Sequence, residues 1–319
     1  MSSHEAHLHA LIDAELRRPA SRAVVALAER FARRAAPHAA AVLFYGSALH
    51  SEALDGVLDF YVLLDQVSAW PGSRLAAAAN RLLPPNVGYF EGQLGEGASG
   101  GERLRAKYAL MSLKQFSRGM SPAGLDTTLW ARFSQPSVCV WARSDSDRDA
   151  VVRAVCDAVV TAARWAAELG PASGRALDFW RALFARTYEA ELRVERTGRG
   201  DSIVDRDAAR YSTLLPAAWR IGGIEYESTA EGVLTPALSE DARRAASRRW
   251  ARRRMLGKPL NFLRLLKAAF TFDGAMDYVA WKIERHSGVR IEVAPWQRRF
   301  PLLAAPGLYW KLRRRGVLR

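Results

Sequence analysis

The chain has 319 residues, 49% of them hydrophobic and 25% charged, with 10 Trp, 9 Tyr and 12 Phe. That composition excludes a disordered or collagen-like polymer and is enough for two ordinary domains or one large one. Two cysteines, Cys139 and Cys156, are too few for a disulfide framework or a thiolate zinc site, so a reducing compartment fits. The formal net charge of +14 is concentrated at one end: residues 241–319 hold 20 Lys+Arg against 5 Asp+Glu, while the first 240 hold 27 against 28. A near-neutral body with a basic C-terminal quarter is expected of a surface that meets polyanions.

No run of 18 uncharged apolar residues occurs, and Glu5, Asp13 and Glu15 stand where a signal or transit peptide avoids acids. A spanning helix and secretion are not expected. Residues 5–36 repeat apolar positions at helical spacing, with Pro19 as a break and Ser21 as a fresh N-cap, which predicts two helices. Residues 41–45 and 57–64 read as buried strands, and 69–83 as a helix stopped by Pro84-Pro85. Residues 87–93 and 105–113 read as strands around a glycine-rich loop at 92–101. Short helices at 115–118 and 125–133 and a strand at 137–141 follow. From 147 to 195 the pattern is helical, 196–207 reads as an exposed polar loop, and helices are predicted at 240–255, 260–272 and 277–286.

The sharpest motif is Phe44-Tyr45-Gly46-Ser47, followed after eleven residues by Asp59 inside an apolar strand. A glycine lets the backbone turn tightly and approach phosphate oxygens, the serine donates to them, and a carboxylate on the adjacent strand holds Mg²⁺ against the same phosphates. This resembles the nucleotidyltransferase fold pattern. The plain alternative is a Gly-Ser hairpin turn between two core strands. The second carboxylate usual two residues after the first is replaced by Tyr61. Asp65 cannot substitute on a continuing strand, because six residues at about 3.3 Å each place it roughly 20 Å away.

Four stretches together resemble the mitochondrial translocator-maintenance type of CTP:phosphatidate cytidylyltransferase, a peripheral CDP-diacylglycerol synthase. Tyr45-Gly46-Ser47 is similar to its YGSG turn, with Ala48 for the second glycine. Leu58-Asp59-Phe60, with Asp65 and Ala69-Trp70 beyond, is similar to a strand in which that family also lacks the second acid. Lys107-Tyr108 followed by Met111-Ser112 is similar to its KYG strand, with Ala109 for glycine. Ala190-Glu191-Leu192-Arg193 is similar to a GD[FL]R motif, with Glu191 for aspartate. Order and spacing hold over about residues 40–195, and the last 80 residues match poorly.

The element pattern and charge give an α/β (α+β) architecture of N-terminal helices over 1–36, a sheet domain over 37–145, a mainly helical second domain over 146–239 and a basic, membrane-facing helical extension over 240–319. The resemblance implies that the sheet domain has the nucleotidyltransferase fold. It implies catalytic roles for Asp59, Lys107 and Glu191, with Asp59 on the metal. Tyr45, Gly46, Ser47, Tyr108 and Arg193 would bind substrate. Lys107 is otherwise a surface strand lysine, and Glu191 a partner of Arg193 at a helix end.

The final 24 residues carry seven basic side chains, no acids, and Trp296, Phe300, Tyr309 and Trp310. This is the composition of a segment lying in a membrane interface. A docked tail completing the core and an RNA-binding tail remain open at this point. Gly95-Glu96-Gly97-Ala98-Ser99-Gly100 matches GxGxxG without a clear βαβ context, and His4, His7 and His9 lack zinc-site spacing, so neither motif is read as a site. The expectation is an enzyme transferring CMP from CTP to phosphatidic acid with Mg²⁺, with no DNA partner. It would be cytoplasmic and peripheral on the inner face of an anionic membrane. The alternatives are a nucleotidyltransferase acting on RNA or a small soluble acceptor, and a non-catalytic lipid- or RNA-binding scaffold on the same fold.

Overall fold

Ser2 and Ser21 open the first two helices as side-chain caps. The Ser2 hydroxyl accepts from the Glu5 N–H while the Glu5 carboxylate accepts from the Ser2 N–H, and the Ser21 hydroxyl accepts from the Val24 N–H. The computed structural model describes residues 2–50, 56–93, 103–124, 126–190, 199–288, 292–299, 307 and 310. In chain order its elements begin with α1 (Ser3–Leu16), α2 (Arg22–Arg34), β1 (Ala39–Tyr45), β2 (Val57–Leu64), α3 (Arg74–Leu82), β3 (Asn86–Gln93) and β4 (Arg103–Ser112). Next come α4 (Leu113–Gly119), α5 (Thr128–Phe133), β5 (Ser137–Ala142), α6 (Asp145–Leu169), β6 (Gly174–Arg175), α7 (Ala176–Ala190) and α8 (Arg199–Arg206). The last are α9 (Ala208–Ile221), β7 (Tyr226–Ser228), β8 (Val233–Pro236), α10 (Glu240–Thr271), α11 (Ala275–Ser287) and α12 (Pro295–Arg299).

These elements form two compact units interleaved in sequence: a sheet unit of residues 20–112, 140–142 and 263–319, and a helical unit of 1–19, 113–139 and 143–262. The sequence reading into four consecutive blocks differs from this grouping, in which α2 and the C-terminal segment from residue 263 belong with the sheet. The five-stranded sheet has the order β3-β4-β2-β1-β5, and β2 pairs with β4 in parallel while β1–β2 and β3–β4 are antiparallel.

Strand alternation gives that sheet two chemically distinct faces. On one, Phe44, Leu58, Phe60, Val62, Ala106, Tyr108 and Leu110 bury against Val24, Leu27, Ala28 and Phe31 of α2. The Phe31 ring lies 5.4 Å from Phe60 and 5.0 Å from Tyr108. The other face presents Tyr45, Asp59, Tyr61, Tyr89 and Lys107, in matching register across β1, β2, β3 and β4.

In the helical unit, the 25-residue α6 buries Val151, Val152, Val155, Val159 and Trp165. Indole N–H groups tie its neighbours together: Trp219 donates to the Ala163 carbonyl at 2.7 Å and Trp180 to the Tyr211 carbonyl at 3.0 Å. Arg210 forms a two-point pair with Glu15 at 2.5 and 3.1 Å and donates to the Ser134 carbonyl at 2.8 Å, all within the protein interior. A small sheet of order β6-β8-β7 adds strands to a region read from sequence as mainly helical.

Two local expectations are corrected. Residues 199–206, read as an exposed loop, form α8, in which Val204 is fully buried and Asp205 pairs with Arg181 at 2.5 Å. The two helices predicted at 240–255 and 260–272 are one 32-residue helix running through Pro259. A proline inside a helix removes one intrahelical hydrogen bond and crowds the carbonyl four residues back, yet the helix continues through Pro259. Among the described residues, no helix is long and apolar enough to cross a membrane.

Candidate functional site

β1 ends at Tyr45, and the chain turns at Gly46 with φ +93°, a conformation that a residue with a Cβ adopts only under strain. A 3₁₀ turn at Ser47–His50 follows. β2 returns antiparallel, with Asp59 directly opposite Tyr45. A Cβ placed on Gly46 would lie 3.3 Å from the Asp59 Oδ2, so the carboxylate rests against the backbone of the turn. Lys107 stands beside Asp59 in parallel register on β4, which sets both side chains on the polar face. A cleft of about 440 Å³ opens there, lined by Ser47, Asp59, Lys107, Tyr278, Trp281 and Arg285 among others.

Three of those residues come from α11, a segment to which sequence reading assigned no part in the site. Tyr278, Trp281 and Arg285 recur at i, i+3 and i+7 on one helical face, and that spacing was the available signal. The Tyr278 ring lies 5.4 Å from Tyr89 and 6.0 Å from Trp281, so an aromatic wall continues from β3 onto α11. Two guanidinium groups approach the Trp281 ring, Arg285 at 5.3 Å and Arg105 at 5.9 Å. Burial pushes the Tyr278 phenol above its ordinary range, and the nearby Asp59 charge adds to the rise. With Lys107 and Arg285, the cleft offers two cations around one carboxylate, a balance suited to a polyanionic ligand.

The structure brings Gly46, Ser47, Asp59 and Lys107 together. Ser47 is exposed at the mouth, and Asp59 and Lys107 are half-buried. Tyr45 shares the polar face, its ring 5.4 Å from that of Tyr61. Tyr61, only 1% exposed, thus puts a buried phenol where a second carboxylate would stand. Asp65 lies beyond the far end of β2, 3.8 Å from His38, in agreement with its exclusion from the site. Glu91 is on the polar face but sits two strands from Asp59, about 10 Å at the usual strand spacing. It pairs with Arg105 at 3.0 Å.

Tyr108 is not brought to the cleft. Successive strand residues point to opposite faces, so with Lys107 in the cleft Tyr108 is buried against α2, and its hydroxyl donates to the Asp273 Oδ2 at 2.8 Å. Asp273 also accepts from Arg34 at 3.0 Å and lines a separate cavity of about 340 Å³ with Arg34 and Trp70. Burial and the Asp273 charge hold the Tyr108 phenol well above its ordinary range. Glu191 and Arg193 lie outside the described residues, as does the GxGxxG stretch at 95–100. Cys139 is buried in the core and Cys156 is half-buried on α6, and burial pushes their thiols up to about 11 and about 12.

The donor set bears on a metal. Magnesium keeps several waters and is commonly held by one or two carboxylates plus substrate phosphates. One half-buried carboxylate against a phosphate-sized turn fits an ion that arrives with a triphosphate. Among the described residues, no group of three or more His, Cys, Asp or Glu is placed to cage a resident ion. No protein-family model matches the chain, and no curated protein is significantly similar to it.

Proposed function

We propose that the sheet unit binds the triphosphate of a nucleotide and that the protein transfers CMP from CTP to phosphatidate. The observation that carries this reading is the juxtaposition of a glycine turn at positive φ, Asp59 against its backbone, and Lys107 in register beside it. The sheet face thereby gathers a close-approach turn, a metal-ligating carboxylate and a phosphate-binding cation. The choice of CTP and phosphatidate rests on the resemblance of the Tyr45-Gly46-Ser47, Asp59 and Lys107 motifs.

In this reading Gly46 and Ser47 cradle the β and γ phosphates, and Lys107 offsets charge growing on the leaving pyrophosphate. Asp59 would hold the Mg²⁺ that accompanies CTP, an ion that neutralises triphosphate charge. A phosphatidate phosphate oxygen attacks the α-phosphorus as the bond to the β-phosphate bridging oxygen breaks, giving CDP-diacylglycerol and pyrophosphate. The acceptor is already an anion, so positioning replaces a strong general base. The aromatic wall of Tyr278 and Trp281 supplies a flat apolar surface for a base, and Arg285 at its rim supplies a second phosphate contact. An acceptor held in a bilayer places the protein peripherally on a membrane, and the absence of a spanning helix among the described residues is compatible with that.

The buried Tyr61 favours one other reading, a sheet that binds nucleotide without turning it over. Pyrophosphate release from each of the four NTPs, with phosphatidate vesicles present and absent, separates the two. Release confined to CTP and dependent on vesicles supports transfer. Binding of Mg-CTP without release supports the non-catalytic fold.

A further inference from the structure

α11 reaches the cleft through a short junction that the edge strand β3 holds at several points. The end of α10 is tied to the start of β3: Lys267 donates to the Pro85 carbonyl at 2.6 Å, to Asn86 Oδ1 at 3.0 Å and to the Leu83 carbonyl. Asp273 then bridges Gly88 in parallel, and its carbonyl accepts from the Tyr89 N–H at 2.8 Å. The carboxylate of the same residue accepts from Arg34 and Tyr108, so no single side chain carries the attachment. Next comes Gly274, at φ +76°, whose carbonyl accepts from the Tyr278 N–H at 3.0 Å to open α11. A Cβ on Gly274 would meet the Tyr89 carbonyl oxygen at 2.6 Å, well short of the 3.4 Å at which ordinary contact begins. That oxygen belongs to the backbone of a strand paired along its length with β4, so it cannot swing aside as a side chain would. Tyr89 thus fixes α11 in three ways, with its amide on Asp273, its carbonyl against Gly274 and its ring 5.4 Å from that of Tyr278.

We propose that Gly274 is a positioning residue for nucleotide binding, its missing side chain letting α11 lie close enough to β3 for Tyr278 and Trp281 to wall the cleft. Leverage makes this seat matter. Trp281 is seven residues on, about 10 Å along the helix axis, so a tilt of about 6° at Gly274 displaces its ring by about 1 Å. Displacements of that size in positioning groups carry losses of up to about 10²-fold. Gly288 closes the other end of α11 with nearly the same backbone, φ +69°, yet a Cβ there meets nothing within 4 Å. The two glycines therefore separate the close approach from the left-handed conformation. The inference deepens the nucleotide-binding reading, on which it rests, and uses no part of the acceptor chemistry.

Calorimetry of Mg-CTP binding to the full chain tests this in the wild type, Gly274→Ala, Gly288→Ala, and Tyr278→Ala/Trp281→Ala with and without Gly274→Ala. Gly274→Ala should lower affinity about tenfold, the scale of one base–aromatic stack, with the number of sites unchanged. Gly288→Ala should stay within twofold of the wild type. In the protein lacking Tyr278 and Trp281, Gly274→Ala should cost less than a further threefold, because most of what it positions is gone. The proposal fails if Gly274→Ala binds within twofold of the wild type, if the two alanines lose affinity alike, or if the tenfold loss persists without the wall. It fails too if Gly274→Ala shows fewer sites of wild-type affinity, the mark of a misfolded fraction. A wild type that binds no Mg-CTP removes the nucleotide-binding reading and this inference with it, whereas each of the other failures leaves that reading standing.

Discussion

Replacing Gly46 with alanine probes the turn on which the site depends, and the structure sets the size of the effect. At φ +93° an added Cβ costs about 1–2 kcal/mol of backbone strain. The same methyl would lie 3.3 Å from the Asp59 Oδ2, so the carboxylate must give by a few tenths of an ångström. Both effects act on the folded state, and Gly46→Ala should destabilise the sheet unit by about 1–2 kcal/mol. The consequence for ligand is larger, because the methyl occupies the space through which a phosphate oxygen would reach the backbone. Mg-CTP affinity should fall at least tenfold, about 1.4 kcal/mol. Gly56 supplies the control: it lines the same cleft, yet a Cβ there meets nothing within 4 Å. Gly56→Ala should change stability by less than about 0.5 kcal/mol and leave affinity within a factor of about two. Urea unfolding and isothermal calorimetry on both variants decide the matter. Equal behaviour of the two alanines, in stability or in Mg-CTP affinity, would refute the close-approach role of Gly46.

Tyr108→Phe removes a hydroxyl bonded to Asp273 on the face away from the cleft, so it should cost about 1–2 kcal/mol of stability and leave Mg-CTP affinity unchanged. Reduced nucleotide affinity by calorimetry would return Tyr108 to the site. Glu15→Ala strands the buried Arg210 guanidinium and should destabilise by about 3–5 kcal/mol in chemical denaturation, and a loss under 1 kcal/mol would contradict the buried pair. Burial and the neighbouring Arg264 hold Lys267 down to about 8, below its ordinary 10.5. In that window the unfolded chain binds more protons than the folded one. The stability of the wild type relative to Lys267→Met should therefore rise from pH 8 towards 10.5, and a falling difference would show the ammonium to be favoured by its carbonyl partners.

Where the chain was legible, one local rule decided it without competition. The apolar run 57–64 is β2 residue for residue, and Ser21 caps α2 where Pro19 breaks the pattern. The glycine of the Tyr45-Gly46-Ser47 motif does hold a positive φ, and the carboxylate expected to face it does. Tyr108 was misassigned by a motif that treats Lys107 and Tyr108 as a pair, although period-two alternation sends neighbours in a strand to opposite faces. The contribution of Tyr278, Trp281 and Arg285 was invisible for a different reason. They follow Lys107 by more than 170 residues, and no local pattern reports which sheet face a distant helix will cover.

The measurement that bears most directly on the transfer proposal follows radiolabel from the α-phosphate of CTP into lipid, with phosphatidate-containing vesicles and Mg²⁺, for the wild type and Asp59→Asn. The account predicts label in the lipid fraction with the wild type. It predicts a loss of 10²-fold or more in Asp59→Asn at unchanged melting temperature, the scale for removing an electrostatic stabiliser from a reacting centre. Label transferred equally by both proteins, or Mg-CTP bound by the wild type with no label reaching lipid, would contradict it.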